Sequence, residues 1–167
     1  MQRLFYLLAI TSLLHSCKKA NRPANGGEVE LYLLQSSQML PSRCEVNSAT
    51  AVLQNKPLVT NDDILEYSDD DHTFRFKDKS HEKIKALMDR TPFAVTLNKR
   101  VVYYGIFKPS FSSSSCDHSI TMDVSWSATD RVSLRLGYPG PMQGVTITDN
   151  RNDPALLLAL KEQGKLR

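Results

Sequence analysis

Apolar runs are short throughout this chain of 167 residues. None approaches the roughly 20 residues that a bilayer-crossing helix needs. Glycine is scarce, at 7 residues, and none of it forms a phosphate-cradling loop or a G-x-S-x-G elbow. That removes the commonest nucleotide-binding and serine-hydrolase signatures. The 4 histidines and 3 cysteines show no metal-ligand spacing, and nothing calls for a cofactor. Charge of one sign is missing too. The net formal value is +3, and Lys79, Lys83 and Lys85 share their segment with Asp78, Glu82 and Asp89. That group reads as one solvated helix face, so nucleic acid is not an expected partner. No internal repeat is present.

What is there is ordinary globular material, with 41% hydrophobic and 23% charged residues. The amino-terminal end differs. Arg3 gives a positive start and residues 4–14 give an apolar run, within the roughly 7–15 residues of a signal-peptide core. Lys18 and Lys19 stop that run directly after Cys17.

Leu14-His15-Ser16-Cys17 resembles the lipobox of bacterial lipoproteins, with an aliphatic residue three places before the cysteine and a small one just before it. His15 departs from the usual small or aliphatic residue. The resemblance implies that residues 1–16 are a discarded leader and that Cys17 is acylated. Several acyl chains anchor stably where one would be marginal. The "CKK" start, like the chain as a whole, resembles small lipoproteins of the Bacteroidota, a class without an assigned activity. Residues 17–27, with Pro23, two asparagines and two glycines after the cysteine, are expected to be the lipidated end and a flexible tether. No acidic run follows Cys17, so the expected address is the periplasmic side of the outer membrane. The bilayer is then one partner, through Cys17, and an envelope protein or peptide the other.

With Cys17 assigned to lipid, Cys44 and Cys116 remain as an even pair in an oxidising compartment. A disulfide between them is expected to stabilise by about 4 kcal/mol through loop closure. The alternative is a reactive Cys116 thiol with His118 as its base, two residues on and on the same strand face.

Residues 28–167 are expected to form a single α+β domain, a mainly antiparallel sheet carrying one central helix and a short C-terminal one. Residues 29–34 (VELYLL) read as a central strand, apolar on both faces, and 35–47 as a loop. Short strand pieces follow at 50–53 and 57–59, then a turn at Asn61. Residues 64–77 read as a hairpin with Asp69, Asp70 and Asp71 at its tip. The tip lacks the glycine of a calcium loop, so it reads as a solvated turn. Phe74 and Phe76 alternate with Arg75 and Lys77, as in a half-buried strand.

Asp78 is the expected cap of a helix running to about Arg90, with Ile84, Leu87 and Met88 on its buried stripe. A hairpin at 93–107 follows, turning at Asn98-Lys99. Further strands are expected at 120–125 and 132–137. The last element is a helix capped by Asn152 or Asp153, with Pro154 in its first turn and Gly164 as its stop.

The run TFRFKDKSHEKIKALMDRTPFAVTLNKRVVYY, residues 73–104, resembles a module in the first periplasmic region of SecD, an accessory subunit of the Sec translocase. There a strand leads through an acidic cap into a helix and a hairpin. Asn98-Lys99 stands where that family has Asp-Gly. The resemblance implies an α+β fold; translocase function is not carried over, since no membrane spans are expected here to match that family's.

For chemistry the sequence offers little. His72 and His81 sit at expected turn and helix surfaces and read as solvated. The irregular stretch 108–119 (KPSFSSSSCDHS) is the one segment to single out. Phe111, Ser112, Ser113, Ser114, Ser115, Asp117 and His118 make it a candidate binding loop held at Cys116. The leading expectation is a non-catalytic interaction module. The alternatives are the thiol enzyme of Cys116 and His118, and a protease-inhibitor-like loop.

Overall fold

The computed structural model describes residues 26–124 and 130–167. The expected leader, the acylated Cys17 and most of the tether lie outside the described residues, as does the last residue expected in the 120–125 strand. The described residues fold as α+β, with eight strands in one mixed, mainly antiparallel sheet and two α-helices. In chain order the strands are β1 (Val29–Ser36), β2 (Val52–Leu53), β3 (Ile64–Ser68), β4 (Thr73–Phe76), β5 (Pro92–Leu97), β6 (Arg100–Phe107), β7 (Cys116–Val124) and β8 (Arg131–Tyr138). Helix α1 (Asp78–Lys85) follows β4, and α2 (Pro154–Glu162) closes the chain. The spatial order is β2-β1-β5-β6-β7-β8-β4-β3, and β6 with β7 is the parallel pair. β1 was expected at the centre; it lies one place from the edge, covered there by β2 and by the Leu31–Val59 bridge.

The main core lies on the face that carries both helices. Val29, Leu31, Phe93, Val95, Tyr103, Phe107, Met122, Leu134, Phe74 and Phe76 project there at period two. Ile84 of α1 and Leu156 and Leu160 of α2 press on them. Phe74 stacks on Phe76 at 5.4 Å and tilts against Tyr67 at 4.4 Å. Each such side chain contributes about 2–3 kcal/mol of burial. The opposite face carries a small cluster of Val46, Ile106 and Cys116 with Leu34, Tyr104 and Tyr138 around it.

Local chemistry accounts for the element ends. Asp153 caps α2, its carboxylate accepting from Ala155 N and Leu156 N at 2.9 and 3.1 Å. Pro154 opens that helix, and Gly164 leaves it with φ of 67°. The β5–β6 turn takes positive φ at both Asn98 and Lys99, 52° and 64°, the primed geometry that suits sheet twist.

α1 differs from expectation in three ways. It ends at Lys85 rather than near Arg90, so Met88 is 80% exposed. The cap position falls on Lys77, with Asp78 in the first turn. His81, expected on the solvated side, is buried, and its Nε2 has no partner among the described residues. The helix is too short to set a stripe by sequence period alone, and its packing on β4 chose the face. Gly26 and Gly27, expected as the end of the tether, already belong to the body. Gly26 is buried against α2, and Gln163 Nε2 donates to the Gly27 carbonyl at 2.9 Å.

Candidate functional site

β6 and β7 pair only through Gly105, Ile106 and Phe107 with Ile120, Thr121 and Met122. Upstream of that, residues 101–104 and 116–119 part into a fork. The cause is a bulge on each arm. On β6, Val95 and Thr96 are consecutive but pair with Tyr103 and Val101, leaving Val102 surplus. On β7, Cys116 and Ile120 pair with Tyr138 and Leu136, so Asp117, His118 and Ser119 face the single Gly137. An extra residue bends the strand that carries it. Gly137 follows the bend with φ of 73°. Gly105 stands at the vertex, where a Cβ would run into the Phe93 ring and meet Ile120 O at 2.8 Å. Glycine is what lets the strands close there.

The fork opens into a cleft of about 600 Å³. Val101, Val102, Tyr103 and Tyr104 all line it. Alternate residues point to opposite faces of a strand, so a cavity touching all four runs along the strand's edge. One wall is a small hairpin closed by the Met39–Val46 bridge, from which Arg43, Glu45 and Val46 face the cleft. Three fastenings hold it. The Cys44–Cys116 disulfide joins positions 72 apart. Ser119 Oγ donates to Cys44 O at 2.6 Å, and Val46 packs on Ile106.

The other wall is the strap after β8, contributing Val145, Ile147 and Asn150. Arg151 grips Asp149 with two nitrogens, at 2.8 and 2.7 Å, and donates to Leu134 O at 3.0 Å. The Arg151 hydrogen bonds hold the Asp149 carboxyl below its ordinary value, against the effect of burial. Tyr67 Oη donates to Arg151 O at 2.9 Å, tying the strap to the main core.

Polar side chains make up much of the lining, with Arg43, Glu45 and Ser48 on one wall and Thr146, Thr148 and Asn150 on the other. His118 is 20% exposed, and its Nδ1 lies 2.8 Å from Asp117 Oδ1. That hydrogen bond holds Asp117 below the usual carboxylate range. The Tyr103 hydroxyl is buried without a partner among the described residues, and burial pushes its pKa well up.

The expected binding loop divides in two. Asp117 and His118 sit on β7, at an arm of the fork, whereas residues 108–115 fold around Lys108. That side chain is 0% exposed. Its Nζ donates to Ser112 Oγ at 2.6 Å and Ser114 Oγ at 2.8 Å, and pairs with Asp89 at 2.8 Å. It also lies 5.4 Å from the Tyr138 ring centre. Burial works to raise the Asp89 carboxyl, but hydrogen bonds from Lys108 and Ser112 and the Lys108 charge outweigh it, leaving it below its ordinary value. Ser112 and Ser114 are therefore ligands of a buried ammonium. Phe111, at 68% exposed, projects from the loop, and Ser113 and Ser115 are also exposed.

Cys116 is fully buried with its sulfur in the disulfide; thiol chemistry with His118 requires that bridge to open. Among the described residues no group of three or more metal-ligating side chains lies together, and no helix is long and apolar enough to cross a membrane. The disulfide marks the domain as extracytoplasmic, since reducing compartments keep such pairs open. Comparison with protein-family models, curated proteins and solved structures gives no match.

Sequence reasoning missed Lys108, Tyr104 and the strap. A lysine at the end of an apolar strand, followed by serines at i+4 and i+6, was the available signal for the first. The bulge at Val102 leaves no trace in the sequence.

Proposed function

We propose that the chain is an exported lipoprotein, acylated at Cys17 and held at the periplasmic face of the outer membrane. Its domain binds a protein or peptide of the envelope without catalysing a reaction. The leader, the lysines after Cys17 and the Cys44–Cys116 bridge support the address. One observation carries the binding role: both walls of the cleft are fastened before any ligand arrives, one by a disulfide and one by the hydrogen bonds that join Arg151 to Leu134 O and to the Tyr67 hydroxyl. A preformed cleft of this size, lined by both polar and apolar side chains, suits recognition of a peptide.

The test joins address and site. A photocrosslinking residue at His118 in the acylated protein should give a discrete adduct in intact cells. Cys17→Ala should release the protein from the membrane fraction and abolish the adduct. Membrane association unchanged in Cys17→Ala would refute the anchoring. Absence of any adduct at His118 or Val102 would refute the binding role.

A further inference from the structure

We propose that the fork between β6 and β7 accepts an extended polypeptide segment of another protein as an inserted strand. This rests on the binding role above and names its occupant. Strands that part leave main-chain N–H and C=O groups along their facing edges with no ladder partner, and an extended backbone satisfies them. The parted arms, residues 101–104 and 116–119, come before the paired stretch that begins at Gly105 and Ile120. At about 3.3 Å per residue each arm is about 13 Å long, room for a strand of four residues. The two bulges hold the arms apart without a ligand.

The walls define the sequence that fits. On one side the cleft meets Tyr103 and Ile147 of the main core; on the other it meets Val46 and Tyr104 of the small cluster, bordered by Arg43. An inserted strand sends alternate side chains to these two sides. A period-two segment of apolar and small polar residues matches them.

Where the chain enters decides the source of that segment. Gly27 lies against Asn98, at the turn that leads into β6, so the mouth of the fork and the chain's entry share one end of the sheet. The nine residue-to-residue steps from Cys17 to Gly26 reach no more than about 32 Å fully extended. The preceding segment itself, with Lys18, Lys19, Arg22 and Pro23, lacks apolar alternation and carries a proline, which a central strand excludes. The occupant is therefore a segment of another molecule, presented close to the bilayer by a membrane-associated protein.

The probe is a labelled Thr-Val-Thr-Val-Thr-Val-Thr peptide, added to the full chain carrying Cys17→Ser. Binding should slow exchange of the β7-facing amides of residues 101–104 at least about tenfold. N-methylating alternate amides of the peptide should weaken binding at least about tenfold, because each lost N–H leaves a buried carbonyl unpaired. Equal affinity of the N-methylated peptide, or no binding by either, would overturn strand insertion. If the His118 adduct still forms in cells, the binding role survives that failure. A concentration-dependent dimer that excludes the peptide would make a second copy the occupant and overturn the assignment. A large rise in peptide affinity on deleting residues 18–25 would do the same in favour of the chain's own segment.

Discussion

The two faces of the sheet are built by different means. The helix-bearing face is held by area: Phe74, Phe76, Phe93, Phe107 and Ile84 are all at or below 1% exposed. The other face has few large apolar side chains and is held by pins. They are one disulfide, the Ser119–Cys44 hydrogen bond and the Lys108–Asp89 pair with its serines. A face closed by area leaves no gap, because every neighbour is pulled inward. A face closed by pins can keep two strands parted. The cleft lies where the two regimes meet, and that is why a rigid domain can carry an open strand edge.

Substitutions should separate the regimes. The largest loss is expected in the packed face: Phe74→Ala should cost about 3–5 kcal/mol in urea unfolding. The contrast fails if that variant is nearly neutral. Removing the bridge with Cys44→Ala and Cys116→Ala should cost about 4 kcal/mol globally. Amide exchange should then rise sharply in residues 38–47 while the β4 and β5 amides stay slow. Uniform acceleration would mean that the two faces are one unit.

Next comes the buried ammonium. Asp89→Ala should cost about 2 kcal/mol, less than a fully buried pair because Asp89 is 36% exposed. Lys108→Met should cost less than Asp89→Ala, since Asp89 reaches water and Lys108 does not. The reverse order would contradict a charge held by its partners. The pH dependence has a definite sign. The Asp89 carboxyl titrates below its ordinary value in the fold, so its contribution is present above the unfolded value of about 3.9. It is lost as pH falls through the lower folded value. Asp89→Asn should remove that part of the acid dependence, as followed by the unfolding midpoint between neutral and acid pH. The smallest effect is Asp153→Ala, about 1 kcal/mol from the lost cap.

Much of the fold was legible because local chemistry and burial agreed. The hairpin of β3 and β4 and α2 between Asp153 and Gly164 follow from residues with one strong preference; the turn at Asn98-Lys99 was legible in its place, although a lysine does not favour the positive φ of 64° that Lys99 adopts. The disulfide followed from cysteine parity. The misses have common causes. α1 was read too long because Leu87 and Met88 fit a helical period; Leu87 packs on the core from beyond the helix end, and Met88 is left exposed. His81 was placed in solvent because a short helix presents its faces according to its neighbours. The stretch 108–119 was seen as one loop, but a buried lysine and a bulged strand divide it. Bulges belong to the pairing of two distant segments, so neither the surplus Val102 nor the three residues opposite Gly137 could be read from one strand alone.

Amide exchange in the free protein tests the open fork most directly. The β7-facing amides among residues 101–104 should exchange at least about tenfold faster than those of Ile106 and Phe107 on the same strand. Equal, strong protection along all of β6 without any ligand would mean that the arms are closed, and would contradict a strand-accepting site there.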